Sequence, residues 1–546
     1  MTSQPMSVFP FWVALALGVG SLLCYLTFAA LVRTSSDDEG PKTRIFNLGL
    51  PPGQDYRQLF GISIAAAGTP LSTVVAFFFL NGGTLGARMF VCPLFFSVGI
   101  YASFWVYCQA RTNGYFQTEH SRGREALIPY LCRQLTGSTA LGRFVLVLCT
   151  LPLLGLLTLE VAFGTHIIRY IAKGAFPSAP GAPNGLSAGV IGFLVFTMFM
   201  ILLLGYVFVG GFRAVLRSDV WQYKLICTAV VATLASLILF SLNNYSQLQW
   251  KLHWDLLWPH LTGNPLRFYV PFVFVNLILP IGLASSWQRY CAFDAVGIDM
   301  QSALISGLKR TISLWLGLIA VALGFATFGF SKGDTLSALF NGIQARGDWW
   351  QVFLFPLLAV AALSAMYSCS DTCVSALLYV IDYAEPEGGE KQTQRRLPRR
   401  YYWAMALIFS ATLASYWALS SRYQDISSSP LFAIAVAVYA SVCVIAPTLF
   451  LTTVLPPAAS PSDSTRRTHY VTASLLIGLV AFWGCTIGFW TKPVWSQCAV
   501  LPALLLSALG CGLLYRQERR TLRSQFHGWR IHRSLDTRAS GQNRAF

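Results

Sequence analysis

Apolar runs of about twenty residues or more alternate with short polar connections from one end of the chain to the other. A helix needs roughly 20 apolar residues to cross the hydrocarbon core of a bilayer. The pattern predicts thirteen spanning segments: 9–32, 57–80, 88–110, 139–172, 187–210, 218–242, 268–290, 309–331, 350–383, 401–420, 429–453, 469–490 and 497–515. The fourth and ninth exceed one perpendicular crossing, so they are expected to tilt strongly or to begin as short interfacial helices. The first run, FPFWVALALGVGSLLCYLTFAALV, carries no Lys or Arg before Arg33 and is too long for a signal-peptide core. A retained first helix is expected there.

Two of these segments contain residues that a helix in lipid accommodates poorly. The second reads SIAAAGTPLSTVVAFFFLNGG, Ser63 to Gly83, with Gly68-Thr69-Pro70 inside it. The seventh reads YVPFVFVNLILPIGLASSWQR, with Asn276, Pro280 and Gly282 midway. Proline supplies no N–H to the helix ladder, and a bilayer core offers no water in its place. The two segments stand at equivalent places if one five-helix repeat runs from the second to the sixth segment and another from the seventh to the eleventh. Paired interruptions of this kind mark the midplane site of many secondary transporters, where half-helix ends and backbone carbonyls hold a cation and a polar solute group.

Composition agrees with a polytopic all-α membrane protein. The chain is 55% hydrophobic and 11% charged, with mean hydropathy +0.56, against about 25% charged residues in soluble domains. The net charge of +17 is not a nucleic-acid footprint, because its distribution follows the bilayer. Alternate connections, with the C-terminal tail, hold twenty-nine of the Lys and Arg; the opposite set holds eight. Positive-inside bias then places the N-terminus outside and the C-terminus in the cytoplasm of a cell (inner or plasma) membrane. The basic tail, 516–546, is expected to lie against anionic lipid. Thirteen cysteines are scattered without a CxxC pair, the nearest being Cys369 and Cys373, so neither a disulfide framework nor a zinc site is implied.

Three motifs carry a resemblance. GGFRAVLRSDVWQ, Gly210 to Gln222, resembles the GG-x-x-A-V-x-x-(T/S)-D-x-x-Q stretch of the sodium/solute symporter family. WQRYCAFD, at the end of the seventh segment, is similar to that family's QR-x-x-A-A-K-D stretch, with Phe293 in place of its lysine. AALSAMYSCSDTCVSALLYVIDY, in the ninth segment, resembles its A-A-x-M-S-T-A-D-S run. The motifs stand in the family's order, and the resemblance covers roughly residues 57 to 453. It implies a LeuT-type core of two inverted five-helix repeats, 57–242 and 268–453. Around it lie an extra N-terminal helix and loop (1–56), two C-terminal helices (454–515) and the tail. The function implied is sodium-coupled symport of a small polar organic solute.

The resemblance also implies sites. Sodium would lie between backbone oxygens of Ala66 and Thr69 and the hydroxyl of Ser368. Cys369 stands where the family has a hydroxyl, and sodium, a hard cation, prefers oxygen to a soft thiol. Thr372, one turn on, and Ser364, one turn before, are both candidates to complete the shell. Coupling to protons instead of sodium stays open for this reason. For the solute, Asn276, Ser72, Thr73 and Gln424 match cavity positions, each with interhelical hydrogen bonding as its alternative. Asp219 with Gln222 three residues on fits a helix capping box, and the family adds a part in sodium release. Glu160 is an acid well inside the fourth segment, where such groups face a cavity or a partner helix. Proton coupling, solute contact and an interhelical bond are its three readings.

An enzyme is not expected. GLSAG, Gly185 to Gly189, matches a nucleophile-elbow pattern but has no preceding strand and no evident His or Asp partners. No P-loop, HExxH or EF-hand pattern occurs. A solute sensor working through a partner protein is the remaining alternative. The partners expected are a small-molecule solute and the lipid bilayer.

Overall fold

The computed structural model describes residues 8–34, 56–67, 86–116, 127–175, 188–243, 266–294, 297–327, 341–344, 349–382, 399–422, 437–488 and 498–519. Among these residues the chain is helical, with no strands. The helices are α1 (Phe9–Thr34), α2 (Tyr56–Ala67), α3 (Gly86–Thr112), α4 (Leu127–Thr136), α5 (Thr139–Ala175) and α6 (Ala188–Asn243). They continue with α7 (Leu266–Gly282), α8 (Ala284–Asp294), α9 (Met300–Thr327), α10 (Phe355–Asp382), α11 (Arg399–Arg422), α12 (Ala437–Leu451), α13 (Pro461–Gly488) and α14 (Val500–Arg519). Seven helices among the described residues are long and apolar enough to cross a membrane. Large apolar side chains such as Trp12, Leu17, Val231, Leu239, Leu407 and Val480 stand exposed on their outer faces. In water such a surface would be unstable, whereas against lipid it costs nothing. The chain is an integral membrane protein.

Local chemistry sets where several helices begin and end. Ser138 caps α5 by accepting the Leu141 N–H at 3.3 Å. Asp299 caps α9, accepting the Ser302 N–H at 3.3 Å and the Ser302 hydroxyl at 2.6 Å. These two bonds hold its carboxyl below the usual carboxylate range. Ser460 caps α13 by accepting the Asp463 N–H at 3.1 Å while donating to the Asp463 carboxylate at 2.7 Å. α4 stops at Gly137, whose φ of 71° is left-handed and suits glycine.

α6 is 56 residues long, more than twice the roughly 20 that one crossing requires. It is two crossings joined at Gly211, whose φ of 60° and ψ of −159° depart from helical geometry. The second arm therefore begins at Phe212. This corrects the capping-box reading of Asp219, which sits two turns inside the helix, fully buried, with its carboxylate directed sideways to other helices.

The seventh predicted segment breaks at the place its Pro and Gly indicate. α7 ends at Gly282, Leu283 alone is non-helical, and α8 begins at Ala284. The Trp287 indole N–H donates to the Ile281 carbonyl at 2.8 Å, satisfying an acceptor that the interruption strips of its helical donor. The Leu283 carbonyl takes the first N–H groups of α8, from Ser286 at 3.1 Å and Trp287 at 3.5 Å. The other interruption, Gly68-Thr69-Pro70, lies outside the described residues, and α2 is described to Ala67.

Close glycine contacts fasten the two interrupted segments to neighbours. Gly61 of α2 and Gly307 of α9 let these helices touch backbone to backbone: a Cβ on Gly307 would stand 2.7 Å from the Gly61 carbonyl. A Cβ on Gly99 of α3 would meet the carbonyls of Leu277 and Asn276 and the ring of Pro280 on α7. Small residues at such crossings are the usual means of tight helix association in lipid. α10 is the centre of the molecule. Every residue from Leu363 to Val380 is buried, as expected of a helix surrounded by others. It packs against α1, α5, α6 and α8.

Candidate functional site

Burying α10 on all sides would be unremarkable for an all-apolar helix, but its middle is polar. Ser364, Ser368, Asp371, Thr372 and Ser375 follow one another at helical spacing on one stripe, and all are buried. Polar groups in such a place require partners, and these come from α6 and α8, with α2 bonded in turn to both.

Asp219 of α6 is the first node. Its Oδ2 accepts the Ser63 hydroxyl of α2 at 2.9 Å, and its Oδ1 accepts the Ser368 hydroxyl of α10 at 3.0 Å. Arg289 of α8 is its counter-charge, with Nη2 3.4 Å from Oδ2 and the two side chains 2% and 0% exposed. The guanidinium also donates from Nε to Ser63 at 2.8 Å, from Nη2 to Thr372 at 3.0 Å and from Nη1 to the Ser285 carbonyl at 3.1 Å. Its Cζ lies 5.7 Å from the centroid of the Phe212 ring. One arginine thus ties together α2, α6, α8 and α10. It stands on α8, in the second turn after the Leu283 break. Beside it, Gln288 donates to Ser375 at 3.2 Å.

Asp371 is the second node. It accepts from Tyr206, from Ser218 at 3.2 Å and from Gln222 at 3.5 Å, all at Oδ2 and all from α6. Its Oδ1 has no hydrogen-bond partner among the described residues.

The sequence-derived candidates divide around these nodes. Ser368 and Thr372 are brought together at the Asp219–Arg289 pair. Cys369 faces elsewhere, toward Glu160 of α5 and Cys373, and Tyr439 of α12 adjoins the same group. Glu160 is fully buried there, and the Cys369 thiol of α10 is among its neighbours. Ala66 is in the last described turn of α2, three residues past Ser63. Asn276 is half-buried one turn before Pro280, its carbonyl against Gly99. Thr69, Ser72, Thr73 and Gln424 lie outside the described residues. A sodium ion remains compatible with the donor set, since hydroxyl oxygens keep acceptor lone pairs while donating. Among the described residues, no group of three or more His, Cys, Asp or Glu could hold a metal ion.

Several residues of this network carried no assigned role in the sequence: Ser63, Tyr206, Ser218, Arg289 and Asp371. Arg289 is the instructive case. It counts among the loop charges by position along the chain, yet it is buried. A signal existed, namely a Gln-Arg pair inside a segment otherwise apolar, since ionisable groups at such depth are expensive.

At the end of α8, the Arg111 guanidinium pairs with Asp294, which also accepts the Tyr107 hydroxyl at 2.8 Å. Arg467 of α13 lies 3.3 Å from Glu518 of α14 and donates to the Pro456 carbonyl at 2.7 Å. These bonds hold α8 to α3, and α13 and α14 to each other; they stand apart from the central network.

No family model matches the chain, and no curated protein matches it in sequence. Its structure, however, is similar to that of a sodium-coupled sialic acid symporter solved substrate-bound and outward-open. The TM-score is 0.57 at 14% identity, covering 91% of this chain and 97% of that one. A nucleobase-cation-symport-1 family transporter, closed with bromovinylhydantoin bound, matches at TM-score 0.44 and 12% identity over 84% of this chain and 92% of that one. The first likeness establishes a shared fold, the LeuT-type helical architecture that the motifs imply; the second is too distant to add to it.

Proposed function

We propose that the chain is a secondary active symporter that draws a small polar organic solute into the cell on an inward cation gradient, with sodium as the cation. The observation that carries this reading is the Leu283 break. It turns Gln288 and Arg289 into a buried polar network shared with α2, α6 and α10, within the fold of a sodium-coupled symporter. The repeats are 57–242 and 268–453, with the N-terminus outside and the C-terminus cytoplasmic. The solute occupies the region of the two interrupted segments, with Asn276, Ser72, Thr73 and Gln424 as its contacts. Sodium is held by Ala66, Thr69, Ser368 and Thr372.

The packing supports a mechanical division. α2 with α9, and α3 with α7, are joined by glycine contacts too close to slide. These are the first two segments of each repeat, a unit suited to rock against the rest. The Arg289 network is what connects that unit (Ser63, Arg289) to the surrounding frame (Asp219, Ser368, Thr372). Cation occupancy at Ser368 and Thr372 would compete with these bonds, which offers a physical route from ion binding to movement.

Coupling of this kind is reciprocal, since a cation that tightens solute binding must itself be tightened by the solute. Purified protein screened against small polar solutes should show ligands whose thermal stabilisation grows with sodium and not with choline. A tenfold gain in affinity adds about 1.4 kcal/mol of stabilisation at saturating ligand. Solutes that stabilise equally in both salts would argue for a receptor without coupling.

A further inference from the structure

The proposed rocking unit also meets the frame at the end where α3, α8 and α12 finish. Within the unit, Asp294 closes α8 onto α3 through Arg111 and Tyr107. α12 belongs to the frame, and a chain leaving a helix presents carbonyls that the helix ladder no longer satisfies. α3 supplies donors for them. The Asn113 amide donates to the Thr452 carbonyl at 2.9 Å, and the Tyr115 hydroxyl donates to the Leu455 carbonyl at 2.9 Å. Tyr115 is buried, and Gly114 between the two takes a left-handed φ of 88°.

The same turn is gripped from its other side. α4 runs into α5 of the frame across Gly137 and Ser138. Its last carbonyls accept from the Ala458 N–H (Gln134, 3.0 Å), from Arg467 (Leu135, 3.3 Å) and from the Thr468 hydroxyl (Thr136, 3.3 Å). Arg467 also donates to the Pro456 carbonyl, one residue past Leu455, at 2.7 Å. Glu518 of α14 orients that guanidinium, accepting from its Nε at 3.4 Å and its Nη2 at 3.3 Å, and both side chains are buried. α13 and α14 stand outside the two proposed repeats, yet their buried ion pair holds the turn to which α3 is fastened.

We propose that Asn113 and Tyr115 form a latch that must part before this end of the solute pathway opens, and that α13 and α14 set its strength through Arg467 and Glu518. The inference rests on the division into rocking unit and frame under the transport reading, where this end faces the cytoplasm. It gives the C-terminal helix pair a regulatory part: whatever loosens Glu518 from Arg467 loosens the latch.

The test is the distance between spin labels carried by unnatural amino acids at the exposed positions of Thr112 and Thr465. It is measured by pulsed electron paramagnetic resonance on the full-length protein in nanodiscs, without solute. Tyr115→Phe keeps the ring and removes the hydroxyl. It should raise the ratio of long-distance to short-distance populations about fivefold, the scale of one hydrogen bond. Glu518→Gln should move the populations the same way. Tyr170→Phe removes a hydroxyl that donates to Asn341 at the far end of α5, and should not raise the long-distance population. Gel filtration confirms that each variant is folded; Asn113→Ala and Arg467→Lys stand in for either one that does not. An unaltered distance distribution in Tyr115→Phe would overturn the latch, even in a protein that accumulates solute. A shift with Tyr115→Phe but not with Glu518→Gln would overturn control by the C-terminal pair. A distance that responds to both substitutions in a protein that moves no solute would leave the latch standing and end the transport reading.

Discussion

Exchanging Arg289 for Met is expected to destabilise the protein by about 3–5 kcal/mol, the cost of stranding a buried charge without its partner. Asp219 would keep the Ser63 and Ser368 hydroxyls as donors, but hydroxyl dipoles do not replace a guanidinium 3.4 Å away. Adding Asp219→Asn should recover most of the loss, because a buried pair removed together is often close to neutral. A double-mutant cycle on thermal unfolding measures this directly. If the double variant is as unstable as the sum of the singles, the pair is not what holds the four helices together. Transport should behave differently. The R289M/D219N protein regains stability but lacks the connection between the rocking unit and the frame, so solute uptake stays impaired.

Gly99→Val should be as damaging for a purely steric reason. A Cβ at this position would stand 2.9 Å from both the Asn276 carbonyl oxygen and the Pro280 ring, and closer still to the Leu277 carbonyl. Two of these are backbone atoms and the third is a proline ring, so none can swing aside. Overpacking in a close-packed interior typically costs about 1–3 kcal/mol and more where the backbone must shift. The displaced element here is the half of the seventh segment that ends at the break, so uptake should be lost together with folded yield. Gly484→Ala, where a new Cβ meets nothing within 4 Å, is the matched control and should fold and transport as the wild type does. Equal tolerance of both substitutions would show that α3 does not brace the break.

What the sequence revealed, and what it hid, divides along a physical line. The interruption at Pro280 and Gly282 is legible because a missing N–H and a missing side chain are local defects, and the structure breaks one residue later, at Leu283. The turn within α6 is similarly announced by Gly210-Gly211, whose second glycine takes the positive φ. The partners of Asp219 are not legible in this way. Its neighbours along the chain suggested a cap with Gln222, whereas its bonds are to Ser63, Arg289 and Ser368, between 70 and 156 residues away. Gln222 turns instead to Asp371. Arg213 and Arg289 sit at the ends of apolar runs and count as loop charges by that criterion, although both are buried. Periodicity shows which face of a helix is apolar, but not which of its polar residues meet those of another helix. The placement of Cys369 belongs to the same class: its soft thiol was visible, but not that it would lie beside Glu160.

The claim at the centre of this account is that a cation gradient drives solute movement through the chain. It is tested by uptake into sodium-free proteoliposomes of a radiolabelled solute chosen by thermal stabilisation, with sodium added outside at zero potential. The account predicts accumulation above the external concentration, abolished when an ionophore collapses the sodium gradient. A solute that binds but never exceeds equilibration, under an imposed sodium or an imposed proton gradient, would contradict it.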